Sequence, residues 1–169
     1  MKKHGIFVAA ALAVFLSFAG CKSAKKVEDG EGAGGVSSEN MNQGADDNTM
    51  GDSDSGRAMG LQTIYFKYDS SDISGDAKAT ADANVTILKA NAAVKVQVEG
   101  HCDQRGGIQY NIALGEKRAN AVKNYLRKAG IAADRLSIIS YGKEKLVDTA
   151  MTEEAYGKNR RANFVITSK

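Results

Sequence analysis

The sequence predicts an α+β fold: a two-layer sandwich in which a four-stranded mixed sheet carries helices on one face, in the order β-α-β-α-β-α-β. Three observations carry that expectation. At Leu61 the texture changes, from a stretch almost free of large apolar residues to 109 residues with clear apolar periodicity. Val94, Val96 and Val98 alternate with Lys95, Gln97 and Glu99, the period-two signature of a half-buried strand. Two other stretches repeat their apolar residues at helical spacing, and helical and strand stretches alternate along the chain, which favours one sheet with helices packed on it.

The elements follow in order. Leu61 to Phe66 reads as a strand, ending at Lys67-Tyr68-Asp69. Ser74 or Asp72 can cap a helix reaching about Asn91, with Ala77, Ala81, Val85 and Leu88 on its apolar face. The valine strand follows, and Gly106-Gly107 breaks the chain. A second helix is expected from about Gln109 to Lys128, with Leu114, Ala121, Val122, Tyr125 and Leu126 as its core face and Gly130 at its end. Leu136 to Tyr141 is the third strand, Thr152-Glu153-Glu154 starts a short helix, and Ala162 to Thr167 is the last strand. The sequence does not give the strand order.

The first 60 residues read differently. Lys2 and Lys3 precede an apolar run from Ile6 to Phe18, followed by the small residues Ala19 and Gly20. That is the layout of a cleaved secretory signal over residues 1–20. The run is too short to span the roughly 30 Å of a bilayer core, which takes about 20 residues. Phe18-Ala19-Gly20-Cys21 resembles the bacterial lipobox, with Phe18 where Leu is usual. The resemblance implies cleavage before Cys21 and lipidation (diacylglycerol, with palmitate-type chains) of its thiol. Lys22 follows, where in lipoproteins with the common sorting rule an Asp gives inner-membrane retention, so the resemblance implies the outer membrane as the destination. Two or more acyl chains suffice for stable anchoring, at about 0.8 kcal/mol per buried methylene.

Residues 21–60 then read as the lipidated Cys21 plus a disordered acidic linker. Residues 22–60 hold four basic and eight acidic residues and too few apolar ones to offset the entropy of ordering. Thirty-nine such residues span about 31–37 Å on average and on the order of 130 Å pulled taut. Gly30-Glu31-Gly32-Ala33-Gly34-Gly35 matches a nucleotide-loop pattern, but no strand precedes it and no helix follows, and the pattern has no meaning without them.

Residues 61–169 contain 17 basic and 12 acidic residues. The excess is scattered, with no long basic run and no aromatic-rich strand, so nucleic acid is not an expected partner. His101-Cys102-Asp103 places a potential base beside a potential nucleophile. Neighbours on a strand point to opposite faces, however, so they cannot form a triad among themselves. With Cys21 lipidated, Cys102 is left unpaired and reads as a small buried thiol. One His in the mature chain argues against a zinc site. No catalytic residues, metal or cofactor are expected.

Four motifs in order carry a family resemblance. Val98-Glu99-Gly100-His101-Cys102-Asp103 leads to Tyr110-Asn111-Ile112-Ala113-Leu114-Gly115-Glu116-Lys117-Arg118-Ala119; then come Ser140-Tyr141-Gly142-Lys143-Glu144-Lys145 and Asn159-Arg160-Arg161-Ala162. From about Ile64 to Val165 the chain resembles the OmpA C-terminal domain family, and within it the peptidoglycan-associated lipoproteins. Cys102 replaces the usual Thr or Ala, and Leu146 stands where Pro is usual.

The resemblance implies non-covalent binding of peptidoglycan through the free end of diaminopimelate in the stem peptide, which carries an ammonium and a carboxylate on one carbon. By position, Asp103 would take the ammonium. Arg118, on a helix face, would bind the carboxylate through its planar fork. Leu114 and Asn111 would line the same site from one and two turns earlier. Tyr68 and Asp69 match ligand-contacting positions, and Arg105 is a further candidate. On the residues alone, Asp103 and Arg118 would read as a surface salt bridge worth about 0–1 kcal/mol; the surrounding motifs favour a ligand. Asn159-Arg160-Arg161 reads as a buttress. The implied role is a tether between outer membrane and wall in the Tol-Pal system, active in division, with TolB and other Tol proteins as partners; the alternative is a wall anchor without a Tol partner.

Overall fold

The computed structural model describes residues 51–169; Cys21, the signal and most of the linker lie outside them. The strands are β1 (Ile64–Tyr65), β2 (Lys95–His101), β3 (Leu136–Gly142) and β4 (Arg161–Ser168), and the helices α1 (Asp76–Ala90), α2 (Ile108–Lys128) and α3 (Glu153–Asn159). They form one mixed sheet in the order β1-β4-β2-β3. The β2–β3 pair is parallel and is bridged by α2, as a parallel pair requires a crossover. β4 runs antiparallel to both β1 and β2.

Alternation along β2 sends Val96 and Val98 into the core, where they meet Phe164 and Ile166 of β4 and Ile64 of β1. Helix α1 contributes Ala81, Val85 and Leu88 to that core, and α2 contributes Ala119, Val122 and Leu126. The two long helices thus share one face of the sheet. The buried stripe of α2 differs from the expected one: it runs Asn111, Gly115, Arg118, Ala119, Val122, Leu126, so two polar side chains point inward. Helix and sheet meet most closely at two glycines. A Cβ on Gly100 would lie 1.9 Å from the Gly115 carbonyl oxygen, and one on Gly115 would lie 2.3 Å from Ser140 Oγ.

Three boundaries differ from expectation. The first strand pairs only over Ile64–Tyr65, although Leu61 and Phe66 are buried at its flanks. Helix α1 begins after Gly75, which adopts a left-handed φ of 56° and makes no side-chain cap bond; glycine tolerates that conformation where Ser74 would not. The ordered domain also starts earlier than Leu61. The Ile166 amide donates to the Gly51 carbonyl and Ser53 N to Phe164 O, each at 2.9 Å. Asp52 bridges Val165, Asp54 pairs with Arg161 at 2.7 Å, and Ala58 is fully buried. Residues 51–53 therefore cover the part of the β4 edge that two-residue β1 leaves open, satisfying backbone groups that would otherwise stand unpaired. Thr152 caps α3 by accepting from Ala155 N at 3.2 Å, where the sequence places that start.

Candidate functional site

One cleft opens where β1, β2 and α3 end and α2 begins. It is lined by Tyr68, Asp69, Cys102, Asp103, Arg105, Gly106, Tyr110, Asn111, Leu114, Arg118 and Arg160. The seven residues expected to contact a ligand therefore share one surface. Asp103 leaves the end of β2 and is only 4% exposed. Its carboxylate accepts from Arg105 Nη2 at 2.7 Å and Nε at 3.3 Å, from the Arg105 amide at 3.1 Å, and from Arg160 Nη1 at 3.3 Å. Burial alone would raise its pKa, but these charge-assisted bonds, Arg105's first, outweigh burial and hold it below the usual carboxylate value.

Arg118 stands otherwise than expected. It is fully buried rather than displayed on a helix face, and it forms no ion pair with Asp103. Nε donates to Ser70 O at 2.9 Å, Nη2 to Lys67 O at 3.2 Å, and Nη1 to His101 O at 2.8 Å and Cys102 Sγ at 3.3 Å. A guanidinium has five N–H groups, so among the described residues one on Nη2 has no partner. The physical reason is its place on the buried α2 stripe, between Gly115 and Val122, which points it beneath the loop after β1. By holding the Lys67 and Ser70 carbonyls it shapes that loop and presents Tyr68 and Asp69. Asp69 takes a left-handed φ of 50°, which an aspartate tolerates better than most residues, and its carboxylate accepts from the Tyr110 hydroxyl.

Asn111 also builds more than it offers. Its Nδ2 donates to Arg105 O at 2.7 Å and Gly107 O at 3.1 Å, fixing the turn that follows Asp103. Cys102 is buried and, among the described residues, unpaired, and burial pushes its thiol pKa up. Its neighbour His101 faces the other side of the sheet, stacked on Tyr141 at 5.6 Å, so no triad forms.

Sequence reasoning missed the contribution of α3, and Arg160, expected only as part of a buttress, also lines the cleft. Arg160 pairs with Glu153 at 2.8 Å as well as with Asp103, and donates to Phe66 O. Tyr156 of α3 faces the Arg105 guanidinium at 4.2 Å. An arginine directly before a largely buried strand is the local signal for Arg160, since a charge there has to find a partner. A wider groove of about 610 Å3 lies along β1, but its charges are already paired, Asp54 with Arg161 and Asp148 with Lys158. Among the described residues no group of His, Cys, Asp and Glu is arranged to hold a metal, and no helix is long and apolar enough to cross a membrane.

The fold and cleft define a small α+β domain with a buried carboxylate ringed by arginines at the end of its sheet. Residues 65–160 match the model of the OmpA family. The chain is 41% identical to a peptidoglycan-associated lipoprotein of Pseudomonas aeruginosa over 97% of this chain and 98% of that protein. It is 40% identical to one of Pasteurella multocida over 93% of each. The crystal structure of the peptidoglycan-associated lipoprotein from Burkholderia pseudomallei superposes with a TM-score of 0.59 at 34% identity, covering 62% of this chain and 88% of that one. The C-terminal domain of Helicobacter pylori MotB shares the fold alone, with a TM-score of 0.60 at 22% identity over 65% of this chain and 87% of that one. The chain belongs to the OmpA family, among its peptidoglycan-associated lipoproteins.

Proposed function

We propose that this chain is a lipoprotein anchored in the outer membrane through Cys21, whose domain holds peptidoglycan without covalent chemistry by gripping the free end of diaminopimelate. One observation carries the reading: a buried carboxylate, Asp103, stands in a cleft beside guanidinium groups and two tyrosines. A ligand end with ammonium and carboxylate on one carbon needs an anion and a cation held a few ångströms apart. Asp103 takes the ammonium, and the uncommitted Nη2–H of Arg118 meets the carboxylate. The names of the relatives support the wall as the partner, and the acyl chains on Cys21 supply the membrane end. No bond is made or broken, so attachment is reversible. Residues 1–20 act as the signal, and the segment from Cys21 to the start of the domain is the tether.

The test is co-sedimentation with purified diaminopimelate-type peptidoglycan. Wild-type chain is expected in the pellet and to be released by soluble stem peptide. Asp103→Ala, checked for folding by circular dichroism, is expected in the supernatant; retention of that variant on the wall would remove the site assignment. TolB and the other Tol proteins are the proposed protein partners, and co-purification of TolB with the membrane-anchored chain tests this. Wall binding without TolB would leave a plain wall anchor.

A further inference from the structure

The open space in the cleft is only about 50 Å3, room for one or two waters, and Arg105 is the reason. Its guanidinium forks onto both oxygens of Asp103. Two rings bracket it, Tyr68 at 4.4 Å and Tyr156 at 4.2 Å, and Nη1 donates to Glu153 Oε2 at 3.2 Å. The position reserved above for a ligand's ammonium is thus filled by a cation of the chain itself. The two arginines on Asp103 are not equivalent. The Arg160 side chain is 11% exposed and also tied to the Phe66 carbonyl, so it is a fixture of the fold. The Arg105 side chain is 35% exposed and can swing toward solvent without opening the core.

We propose that Arg105 is an internal competitor for the Asp103 carboxylate and thereby sets the specificity of the cleft: a lone ammonium gains nothing by displacing it, whereas an ammonium with a carboxylate on the same carbon does. The inference rests on the diaminopimelate reading above. Charge balance is the argument. Asp69, Asp103 and Glu153 face Arg105, Arg118 and Arg160 around the cleft, three of each sign. A lone ammonium replaces one cation at Asp103 by another, gives up both ring contacts of Arg105, and leaves the cleft with one positive charge in excess. A zwitterionic end keeps the balance. Its carboxylate reaches the free N–H of Arg118 and gives the released Arg105 guanidinium a new partner, with the bidentate geometry arginine favours.

Calorimetric titration of the detergent-solubilised full chain tests this with two peptides: L-Ala-γ-D-Glu-meso-diaminopimelate, and the same tripeptide with lysine third, which keeps the ammonium and lacks the carboxylate. The wild type is expected to prefer the diaminopimelate peptide strongly. In Arg105→Gln the lysine peptide is expected to tighten on the order of tenfold, the scale of one partly exposed ion pair with its ring contacts, so that the preference shrinks. Tyr156→Leu, which loosens Arg105 without touching Asp103, is expected to move the ratio the same way by a smaller factor. Lys117→Gln removes the same charge from the exposed face of α2 and is expected to leave the ratio unchanged. A ratio unmoved in Arg105→Gln, or both peptides weakened alike, overturns the competitor role and makes Arg105 an ordinary ligand contact. No binding of the diaminopimelate peptide by the wild type overturns the functional reading itself.

Discussion

Replacing Arg118 by alanine is expected to destabilise the domain by about 2–4 kcal/mol, an energy that follows from where its bonds end. The His101 carbonyl is buried beneath the helix, and losing its donor costs about 1–3 kcal/mol. The Lys67 and Ser70 carbonyls lie on a loop that water can reach, so each loses only about 0.5–1 kcal/mol. The guanidinium also stands over the Phe66 ring at 5.3 Å, worth about 0.5–1 kcal/mol. Against these runs the relief of a buried charge: burial is the largest influence on Arg118 and pushes its pKa below the ordinary value, so removing the group returns part of the loss. The chain has no tryptophan, and the measurement is urea unfolding followed by far-UV circular dichroism. Arg118→Met, which keeps the stem and removes the donors, separates packing from hydrogen bonding and is expected to fall between wild type and alanine. An alanine variant whose midpoint matches the wild type within about 0.5 kcal/mol, the level of ordinary surface substitutions, would show that the three carbonyls do not depend on this side chain. The result matters for function as well: a variant that releases the loop from Lys67 to Ser70 loses ligand binding whether or not Arg118 touches the ligand, so Asp103 is the cleaner probe.

Three further outcomes are expected. Gly100→Ala forces a Cβ into the Gly115 carbonyl and is expected to cost about 3 kcal/mol, the upper end for overpacking, seen as a lowered melting temperature. His101 is 1% exposed, neither ring nitrogen has a hydrogen-bond partner among the described residues, and Nε2 lies 3.4 Å from Glu99 Oε2. Burial pushes its pKa below 6.5 against the opposing pull of Glu99, so the unfolded chain takes up the proton first. Its contribution to stability is full above about pH 6.5 and is lost as pH falls through the lowered folded value; urea midpoints at pH 7.5 and 5.5 are expected to differ more for the wild type than for His101→Gln. A soluble chain beginning at Leu61 loses the β4-edge bonds of residues 51–54, each worth about 1 kcal/mol, and is expected to unfold at clearly lower urea than one beginning at Gly51.

Much of the fold was legible because apolar periodicity wrote it. Val96 and Val98, the Leu88 stripe of α1, Val122 and Leu126 of α2, and the strand over Ala162 to Thr167 all stand where the pattern places them. The segment 51–60 was illegible because it is held by backbone groups, Ser53, Asp54 and one buried alanine, in a composition indistinguishable from linker. Arg118 was legible as a cleft residue but not in its posture. Asking which side chains lie one turn from Val122 puts it on the inward stripe, whereas charge alone puts it outside. Glu153, Tyr156 and Arg160 reach the cleft from some 50 residues beyond Asp103 in sequence, and such contacts leave no local pattern.

The hydrogen bonds of Gly51 and Ser53 to β4 have a mechanical consequence. Gly51 meets Ile166, near the C-terminal end of β4, whereas the cleft lies past the other end of the sheet, beside Arg160 and Asp103. Under the proposed function, a load entering at Gly51 and resisted at the cleft would run lengthwise along β4, eight residues or about 26 Å. Ladder bonds lie across that direction, so they would share the strain in shear instead of yielding one by one like a zip. A pull between Gly51 and the cleft would therefore meet the domain in its stiff direction.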